Sequence, residues 1–199
     1  SEENILKLIK PLFLDDLKAE FELAKCDKQK ILVFLDKLAK LKFLDPACGC
    51  GNFLIIAFRE LKLLEFETLT ALSEYLEINN TYFRVSPDQF YGIEIEEEPC
   101  RVAELCLYLV GLQMYREGVK RFNLNHSKMC FEPPKTIIHA NALRIDWNEV
   151  VPKAELNYIM GNPPFVGAMN LNCSQREDMK LVLANGFRKF GEMDYVTAW

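Results

Sequence analysis

The sequence predicts an α/β fold of Rossmann-like type, in which four short strands alternate with helices. The first observation is a short apolar run at residues 42–44, followed by a glycine turn and then by helical apolar spacing over residues 54–64. The second is a pair of further apolar runs, residues 89–95 and 137–143, which are typical of buried strands. A helical pattern over residues 97–116 separates these two runs, and such alternation favours an α/β architecture.

The first 41 residues are predicted to form a helical leader that precedes the first strand. Residues 5–24 and 31–40 both carry apolar side chains at helical spacing. The simplest role for such a leader is packing against the rest of the domain.

Four more segments complete the predicted order of elements. They are an inserted helical segment at 65–87, a polar connection at 118–134, a fourth strand at 156–160 and a helix at 174–187. Several polar residues are given no functional role. Arg59, Glu60 and Glu65 are expected to be solvated on the first helix after the strand, His139 is expected in a buried strand, and His126 in a polar loop.

The turn after the first strand, residues 45–53, has the composition of a cofactor-binding turn. Gly49 and Gly51 let the backbone pass close to a bound molecule, and Asp45 at the end of the strand can hold a cationic or amino-bearing group. The dinucleotide fingerprint requires a third glycine three residues later, where this chain has Leu54. The sequence therefore disfavours a pyrophosphate-binding role for this turn.

A second motif, Asn-Pro-Pro-Phe at residues 162–165, follows the fourth predicted strand. The two prolines restrict the backbone, so the Asn162 side chain and the Pro163 carbonyl can act as converging acceptors for one NH2 group. Phe165 offers a flat surface for a ring, worth roughly 1–3 kcal/mol per stacked base. The alternative for the tetrapeptide alone is a tight exit from a sheet without a function.

Together, residues 45–53 and 162–165 resemble motifs I and IV of S-adenosylmethionine-dependent DNA methyltransferases that modify the N6 amino group of adenine. The resemblance extends to residues 89–95 and 137–143, which look like the second and third strands of that fold. In the order of its motifs and in their residues, the chain is most similar to the methyltransferase part of type IIL single-chain restriction–modification enzymes. The similarity covers the chain from about residue 11 onward.

This resemblance implies two adjoining half-sites. The cofactor-binding residues would be Asp45, Pro46, Ala47, Gly49, Gly51, Asn52, Phe53, Glu94, Asn141 and Ala142. Within this set, Glu94 would accept hydrogen bonds from the ribose hydroxyls, while Asn141 would meet the adenine amino group of the cofactor beside the Ala142 amide. The catalytic residues would be Asn162, Pro163, Pro164 and Phe165, which would face the target adenine.

The chain departs from the family pattern at three points. Cys50 stands where serine is common, and Asn141 stands where aspartate is often found. Glu94 lies farther from the glycines than usual, which the inserted segment at 65–87 would explain. The leader also lacks a Phe-Thr-Pro-like motif, so either residues 12–21 or another segment would have to close the cofactor pocket.

Composition is that of one domain with one hydrophobic core. The chain has 199 residues, half of them hydrophobic, without an apolar stretch long enough to span a bilayer and without a signal peptide, so the cytoplasm is the expected location. Seven cysteines without a C-x-x-C pair argue against a disulfide framework and against a zinc site. No metal is expected to be required for methyl transfer.

The net charge of −5 is unusual for a protein that grips DNA. Residues 65–117 carry 11 acidic and three basic side chains, whereas residues 118–199 carry 10 basic and eight acidic side chains. The acidity therefore lies away from the Asn162 motif. Because the chain has no dense basic patch, most contacts with double-stranded DNA are expected outside it.

The resemblance implies a seven-stranded sheet, of which about four strands are found. Residues 42–199 are therefore expected to be the N-terminal part of a catalytic domain, containing motifs I to IV and cut before the remaining strands and the DNA recognition domain. The implied activity is methylation of adenine N6 in DNA within a restriction–modification system. Alternatives are a methyltransferase acting on RNA or on a protein glutamine, and a non-catalytic nucleotide-binding module.

Overall fold

The computed structural model describes residues 1–79, 82–124, 132–183 and 192–199. Within these ranges, four strands form a single parallel sheet in the order β3-β2-β1-β4. The strands are β1 Phe43–Asp45, β2 Phe90–Glu94, β3 Ile137–His139 and β4 Tyr158–Ile159. The helices are α1 Glu2–Ile9, α2 Asp15–Ala24, α3 Lys28–Leu38, α4 Asn52–Leu72, α5 Glu97–Arg121, α6 Trp147–Val150 and α7 Cys173–Leu183. The predicted α/β class and the four predicted strands are confirmed.

The two faces of the sheet are buried in different clusters because neighbouring side chains of a strand point to opposite sides. On one face Phe43 lies between Phe90 and Tyr158, with ring centroids 4.7 and 5.2 Å away. On the other face Leu44 and Ile93 pack in a second cluster with Ala142 and Val151. Burial on both faces explains why the central strands read as continuous apolar runs.

The helical leader packs against the Phe43 face of the sheet. A π-helical turn, Lys10–Leu14, joins α1 to α2 and places Phe13 edge-on to the Phe43 ring at 5.0 Å between centroids. Asp27 caps α3 by accepting hydrogen bonds from Gln29 N and Lys30 N. The packing role predicted for the leader is confirmed.

Two helices are longer than their sequence patterns predicted. Residues 65–72 continue α4, because Phe66, Leu69 and Leu72 remain on its buried face. The inserted segment predicted at 65–87 is therefore α-helical only in its first part, since the described residues 73–79 and 82–87 form no α-helix. Helix α5 continues to Arg121, and Gly118 lets its last part pack closely against the rings of Phe66 and Phe83. His126 and the rest of 125–131, together with residues 184–187, lie outside the described residues.

Glu65 is the largest correction to the predicted surface, since its side chain is fully buried. Its carboxylate pairs with Lys62 Nζ at 2.6 Å and accepts hydrogen bonds from Arg84 N and Val85 N at 2.6 and 2.7 Å. Lys62 also donates to Val85 O at 2.8 Å. This cluster, called the Lys62–Glu65 pair below, fastens the segment before β2 to α4.

The third strand is shorter and more exposed than predicted. Strand β3 ends at His139, where residues up to 143 were expected to continue it, and the chain turns at Asn141. As one of the two edge strands of the described sheet, β3 leaves His139 exposed, with Nε2 3.0 Å from Ile95 O. The described ranges contain no helix with the length and apolar character needed to cross a bilayer.

Candidate functional site

A cavity of about 420 Å³ lies at the carboxyl ends of the strands, where parallel α/β sheets commonly bind ligands. The chain leaves β1 there through the glycine turn and leaves β4 there through the Asn162 motif, the two segments that the sequence singled out. The lining residues include Pro46, Ala47, Glu94, Asn141, Ala142, Asn162 and Pro164. Both predicted half-sites therefore contribute walls to the same cavity.

The glycine turn adopts the left-handed backbone that its composition predicted. Gly49 has φ +54° and Gly51 has φ +81°, a region that other residues rarely occupy. A Cβ built on Gly49 meets no atom within 4 Å, whereas a Cβ on Gly51 lies 3.0 Å from the Cβ of Ala103 on α5. Gly49 thus faces open space, and Gly51 allows α4 and α5 to approach closely.

The carboxylate of Glu94 ties the glycine turn to the end of β2. Its Oε2 accepts from Gly49 N at 2.7 Å, and its Oε1 accepts from Glu96 N at 2.9 Å. Each carboxylate oxygen can accept more than one hydrogen bond, so both still have capacity for a ligand in the cavity. The two bonds fix the orientation of the carboxylate and therefore the direction of its remaining lone pairs.

Asp45 lies beneath the cavity rather than in its lining, with only 1% of its surface exposed. Burial raises its pKa to about 7; the nearby charge of Glu94 adds to the increase and the Ala47 N–H, which donates at 3.0 Å, opposes it. No described cation pairs with this carboxyl. A Cβ added to Gly161 would overlap Asp45 Oδ1, so the start of the second motif rests directly on it.

The second motif is held at its base and exposed beyond it. Met160 N donates to Leu44 O at 2.9 Å, which carries the chain along β1 up to Gly161. Asn162 is exposed, and its side chain forms no hydrogen bond to any described residue. Phe165 is 75% exposed, which is unusual for an aromatic ring on an ordered segment.

The opposite wall of the cavity comes from a part of the chain that the sequence had not connected with it. Its residues are Asn172, Ser174, Gln175 and Asp178 around α7, and Tyr195 and Trp199 at the end of the chain. No lining residue comes from 12–21, so the leader does not close this cavity. The sequence signalled α7 as a helix, but nothing in the pattern of 174–187 distinguished one polar residue from the next.

Asp178 joins this wall to the β3 turn through three hydrogen bonds. It accepts from Arg144 Nε at 2.5 Å, from the Tyr195 hydroxyl at 2.6 Å and from Asn141 Nδ2 at 3.1 Å. Burial alone would raise the pKa of Asp178, but the hydrogen bonds from Tyr195, Arg144 and Asn141 outweigh it and hold the pKa below its usual value. The carboxylate therefore stays ionised although it is 1% exposed.

The other predicted site residues lie around the cavity without lining it. Asn52 is exposed on the first turn of α4, Phe53 packs against the main core, and Pro163 and Phe165 stand outside the opening.

Trp199 Nε1 is buried without a hydrogen-bond partner among the described residues. In the described ranges, His, Cys, Asp and Glu side chains form no group of three that could hold a metal ion.

Comparisons with known proteins agree on one family. Residues 21–199 match the family model described as MmeI, DNA-methyltransferase domain. DNA methyltransferase A of Bacillus subtilis strain 168 is 40% identical over 200 residues, which cover 98% of this chain and 22% of that protein.

One solved structure, that of the type IIL restriction–modification enzyme MmeI in complex with DNA, matches with 44% identity and a TM-score of 0.93. The match covers 100% of this chain and 27% of that chain. The chain thus spans about a quarter or less of the length of these relatives.

Proposed function

The chain belongs to the MmeI DNA-methyltransferase domain family, and on that premise we propose that it transfers a methyl group from S-adenosylmethionine to adenine N6 in DNA. The transfer would modify host DNA as part of a restriction–modification system. The observation that carries the proposal is the Asn162 side chain, which stands without a described partner in the lining of a cavity to which Pro46 and Ala47 of the glycine turn also contribute.

The residues of the cavity suit S-adenosylmethionine. Open space in front of Gly49 leaves room for a bound molecule, and Glu94 offers acceptors for ribose hydroxyls. Asp45 could balance the charge of an ammonium group, and the Trp199 N–H lacks a partner that a ligand acceptor could supply. Bound there, S-adenosylmethionine would supply an electrophilic methyl group.

The atoms of the proposed reaction balance without a metal ion. A bond forms between adenine N6 and the methyl carbon as the bond from that carbon to sulfur breaks, and one proton leaves N6 for solvent. Positive charge develops on N6 before the proton leaves, and acceptors at Asn162 Oδ1 and the Pro163 carbonyl would stabilise it. Placed groups of this kind contribute about 3 kcal/mol in a transition state.

Phe165 is the residue proposed to hold the target base outside the helix. Removing a base from a duplex costs a few kcal/mol of stacking and pairing, which an aromatic face partly offsets. An exposed ring three residues after Asn162 is well placed to stack on a base whose amino group reaches that side chain. Methylation of duplex DNA would therefore depend on Phe165 more than methylation of a single strand.

The test is transfer of tritiated methyl groups by the intact protein that carries this chain. Duplex DNA, RNA and protein are offered in parallel, and the modified base is identified after digestion. We expect N6-methyladenine in DNA alone. Label in RNA or in a glutamine side chain would replace the proposed substrate, and no label in any of them would favour a non-catalytic nucleotide-binding module.

The matched variant is Asn162→Ala, which removes the amine acceptor but no wall of the cofactor half-site. We expect the transfer rate to fall at least on the order of a hundredfold. Affinity for S-adenosylmethionine, measured by calorimetry, should stay within about twofold of the parent. Methylation at the parental rate would contradict the proposed role of Asn162.

A further inference from the structure

Asn141 poses a problem of orientation that an aspartate would not. An aspartate presents an oxygen to the cavity in either orientation of its carboxylate, whereas an amide presents either an acceptor oxygen or a donor NH2 group. The first orientation favours a ligand that donates a hydrogen bond, and the second favours a ligand that accepts one. Whatever fixes the amide therefore decides which ligands the cavity accepts.

Two contacts fix the Asn141 amide in the same orientation. Its Nδ2 donates to Asp178 Oδ2 at 3.1 Å, and its Oδ1 accepts from Leu143 N at 3.0 Å. An ionised carboxylate only accepts hydrogen bonds and a backbone N–H only donates them, so the reversed amide would face a mismatch at both partners. Asp178 is buried and Asn141 is half-buried, so water would compensate such a mismatch only in part and the mismatch would be costly.

Asp178 is itself held rigidly, since Arg144 and Tyr195 bind the same carboxylate. Arg144 Nε takes Oδ1, and the Tyr195 hydroxyl shares Oδ2 with Asn141. The side chain is buried, so water does not compete for these positions. The cluster thus has one carboxylate, whose charge is balanced by the guanidinium of Arg144, and three donors, with a single arrangement that satisfies them all.

We propose that Asp178 is a positioning residue that holds Asn141 Oδ1 toward the cavity as an acceptor, and that this acceptor selects a 6-aminopurine over a 6-oxopurine. The inference rests on the proposed function, since it concerns the adenine of S-adenosylmethionine. The remaining lone pair of Oδ1 accepts from an exocyclic amine. It repels the carbonyl oxygen that a hypoxanthine carries at the same position.

The probes are S-adenosylhomocysteine and S-inosylhomocysteine, which differ at purine C6 and undergo no turnover. Calorimetry on the intact protein that carries this chain gives the affinity for each. The parent should bind the adenosyl compound roughly tenfold or more tightly than the inosyl compound, as expected when one pairing becomes a repulsion in a buried site. Equal affinities would overturn the inference, whereas no binding of either compound would overturn the proposed cofactor and the inference with it.

Asp178→Asn tests the orienting contact directly. Arg144 requires an oxygen at the Oδ1 position, so the new NH2 group takes the position of Oδ2 and faces Asn141. Asn141 can pair with it only by reversing its amide, which turns a donor toward the cavity. The ratio of adenosyl to inosyl affinity should fall from the parental value toward one or below it. A ratio that stays at the parental value in a folded variant would overturn the inference.

Exchange of the two residues provides the rescue. Asn141→Asp alone places two carboxylates against each other and should weaken adenosyl binding on the order of tenfold. Combined with Asp178→Asn, it restores a donor–acceptor pair with the original total charge and an oxygen toward the cavity. The double exchange should therefore recover the preference for the adenosyl compound. Failure to recover it would contradict orientation as the role of Asp178.

Two control variants separate orientation from stability. Tyr195→Phe removes one hydrogen bond that holds Asp178 but leaves the Asn141 contact, so the chain should unfold at a lower temperature and lose much less of its preference than Asp178→Asn does. Glu177→Gln removes a neighbouring charge 3.6 Å from Arg144 and should change neither property appreciably. If the Tyr195→Phe chain lost the preference as Asp178→Asn does, Asp178 would act only through stability.

Discussion

Glu65 and Asp45 are two buried carboxyl groups whose surroundings differ sharply. Glu65 lies on α4 with no exposed surface, and it has the Lys62 ammonium and two backbone N–H groups as partners. Asp45 lies at the end of β1 with 1% exposure, and it has one backbone N–H and no described cation. Burial therefore costs the second carboxyl far more than the first when it ionises.

The difference separates a structural carboxylate from one that awaits a partner. In the Lys62–Glu65 pair the two charges balance each other and join two segments of the fold, whereas the carboxyl of Asp45 has no described cation beside it. Carboxyl groups in clefts whose pKa is strongly shifted are commonly functional, since a ligand can supply the cation that the protein lacks there. A cationic ligand bound in the cavity would therefore offset the free-energy cost of ionising Asp45.

The strongest test of the comparison is Lys62→Met, which leaves the Glu65 carboxylate buried without its cation. Loss of one partner from a buried ion pair costs about 3–5 kcal/mol, and we expect that decrease in the free energy of unfolding from urea denaturation. Lys37→Met is the matched control, because its partner Glu20 is well exposed and such pairs contribute about 0–1 kcal/mol. A similar decrease in the free energy of unfolding in both variants would mean that the buried pair stabilises the fold no more than the exposed pair does.

The second test is the pH dependence that Asp45 should impose on stability. Burial raises its folded-state pKa to about 7, above the unfolded value of about 3.9, so the folded chain binds the extra proton between these limits. Its contribution to stability is full below about pH 4 and is lost as pH rises toward 7, at up to about 1.4 kcal/mol per pH unit.

Asp45→Asn should remove this slope while weakening S-adenosylhomocysteine binding. The measurement is urea denaturation at closely spaced pH values for the parent and the variant. Asp194→Asn serves as the control, because Asp194 also accepts a backbone hydrogen bond but is exposed. A slope that survives in Asp45→Asn would assign the titration to another group and weaken the contrast with Glu65.

A smaller effect is expected from Gly161→Ala, which sharpens the link between Asp45 and the second motif. The added methyl group would overlap Asp45 Oδ1, so the chain must shift at a cost of about 1–3 kcal/mol. Gly167→Ala adds the same methyl group at a position where the nearest atom is 3.7 Å away, and it should be nearly neutral. Thermal unfolding of the two variants checks the difference, and equal midpoints would mean that Gly161 does not rest on Asp45.

The parts of the fold that could be predicted are those with local signals. Apolar runs located the strands, and the spacing of Gly49 and Gly51 located a turn whose backbone needs glycine. The burial of Glu65 was missed because a single acid on a helix looks solvated. Its partner Lys62 lies one turn earlier on the same face, and this spacing was the available clue.

Only one wall of the cavity was predictable from the sequence. Glu94 ends β2, Asn141 and Asn162 follow β3 and β4, and parallel strands bring such positions to one edge. Asp178 and Trp199 reach the cavity through tertiary packing of α7 and the final turn, which no local pattern encodes. The bond between Asn141 and Asp178 joins residues 37 positions apart and becomes visible only in the folded chain.

The order of the strands also constrains how the chain folds during synthesis. Strand β1 pairs with β2 on one side and with β4 on the other, and the contact from Lys42 to Asn157 spans 115 residues. At translation rates of about 5–20 residues per second, the β4 side of β1 stays unpaired for roughly 6–25 seconds after β1 is made. An apolar strand with a free edge is an aggregation hazard. Faster aggregation of nascent chains arrested before residue 158 is the consequence to expect.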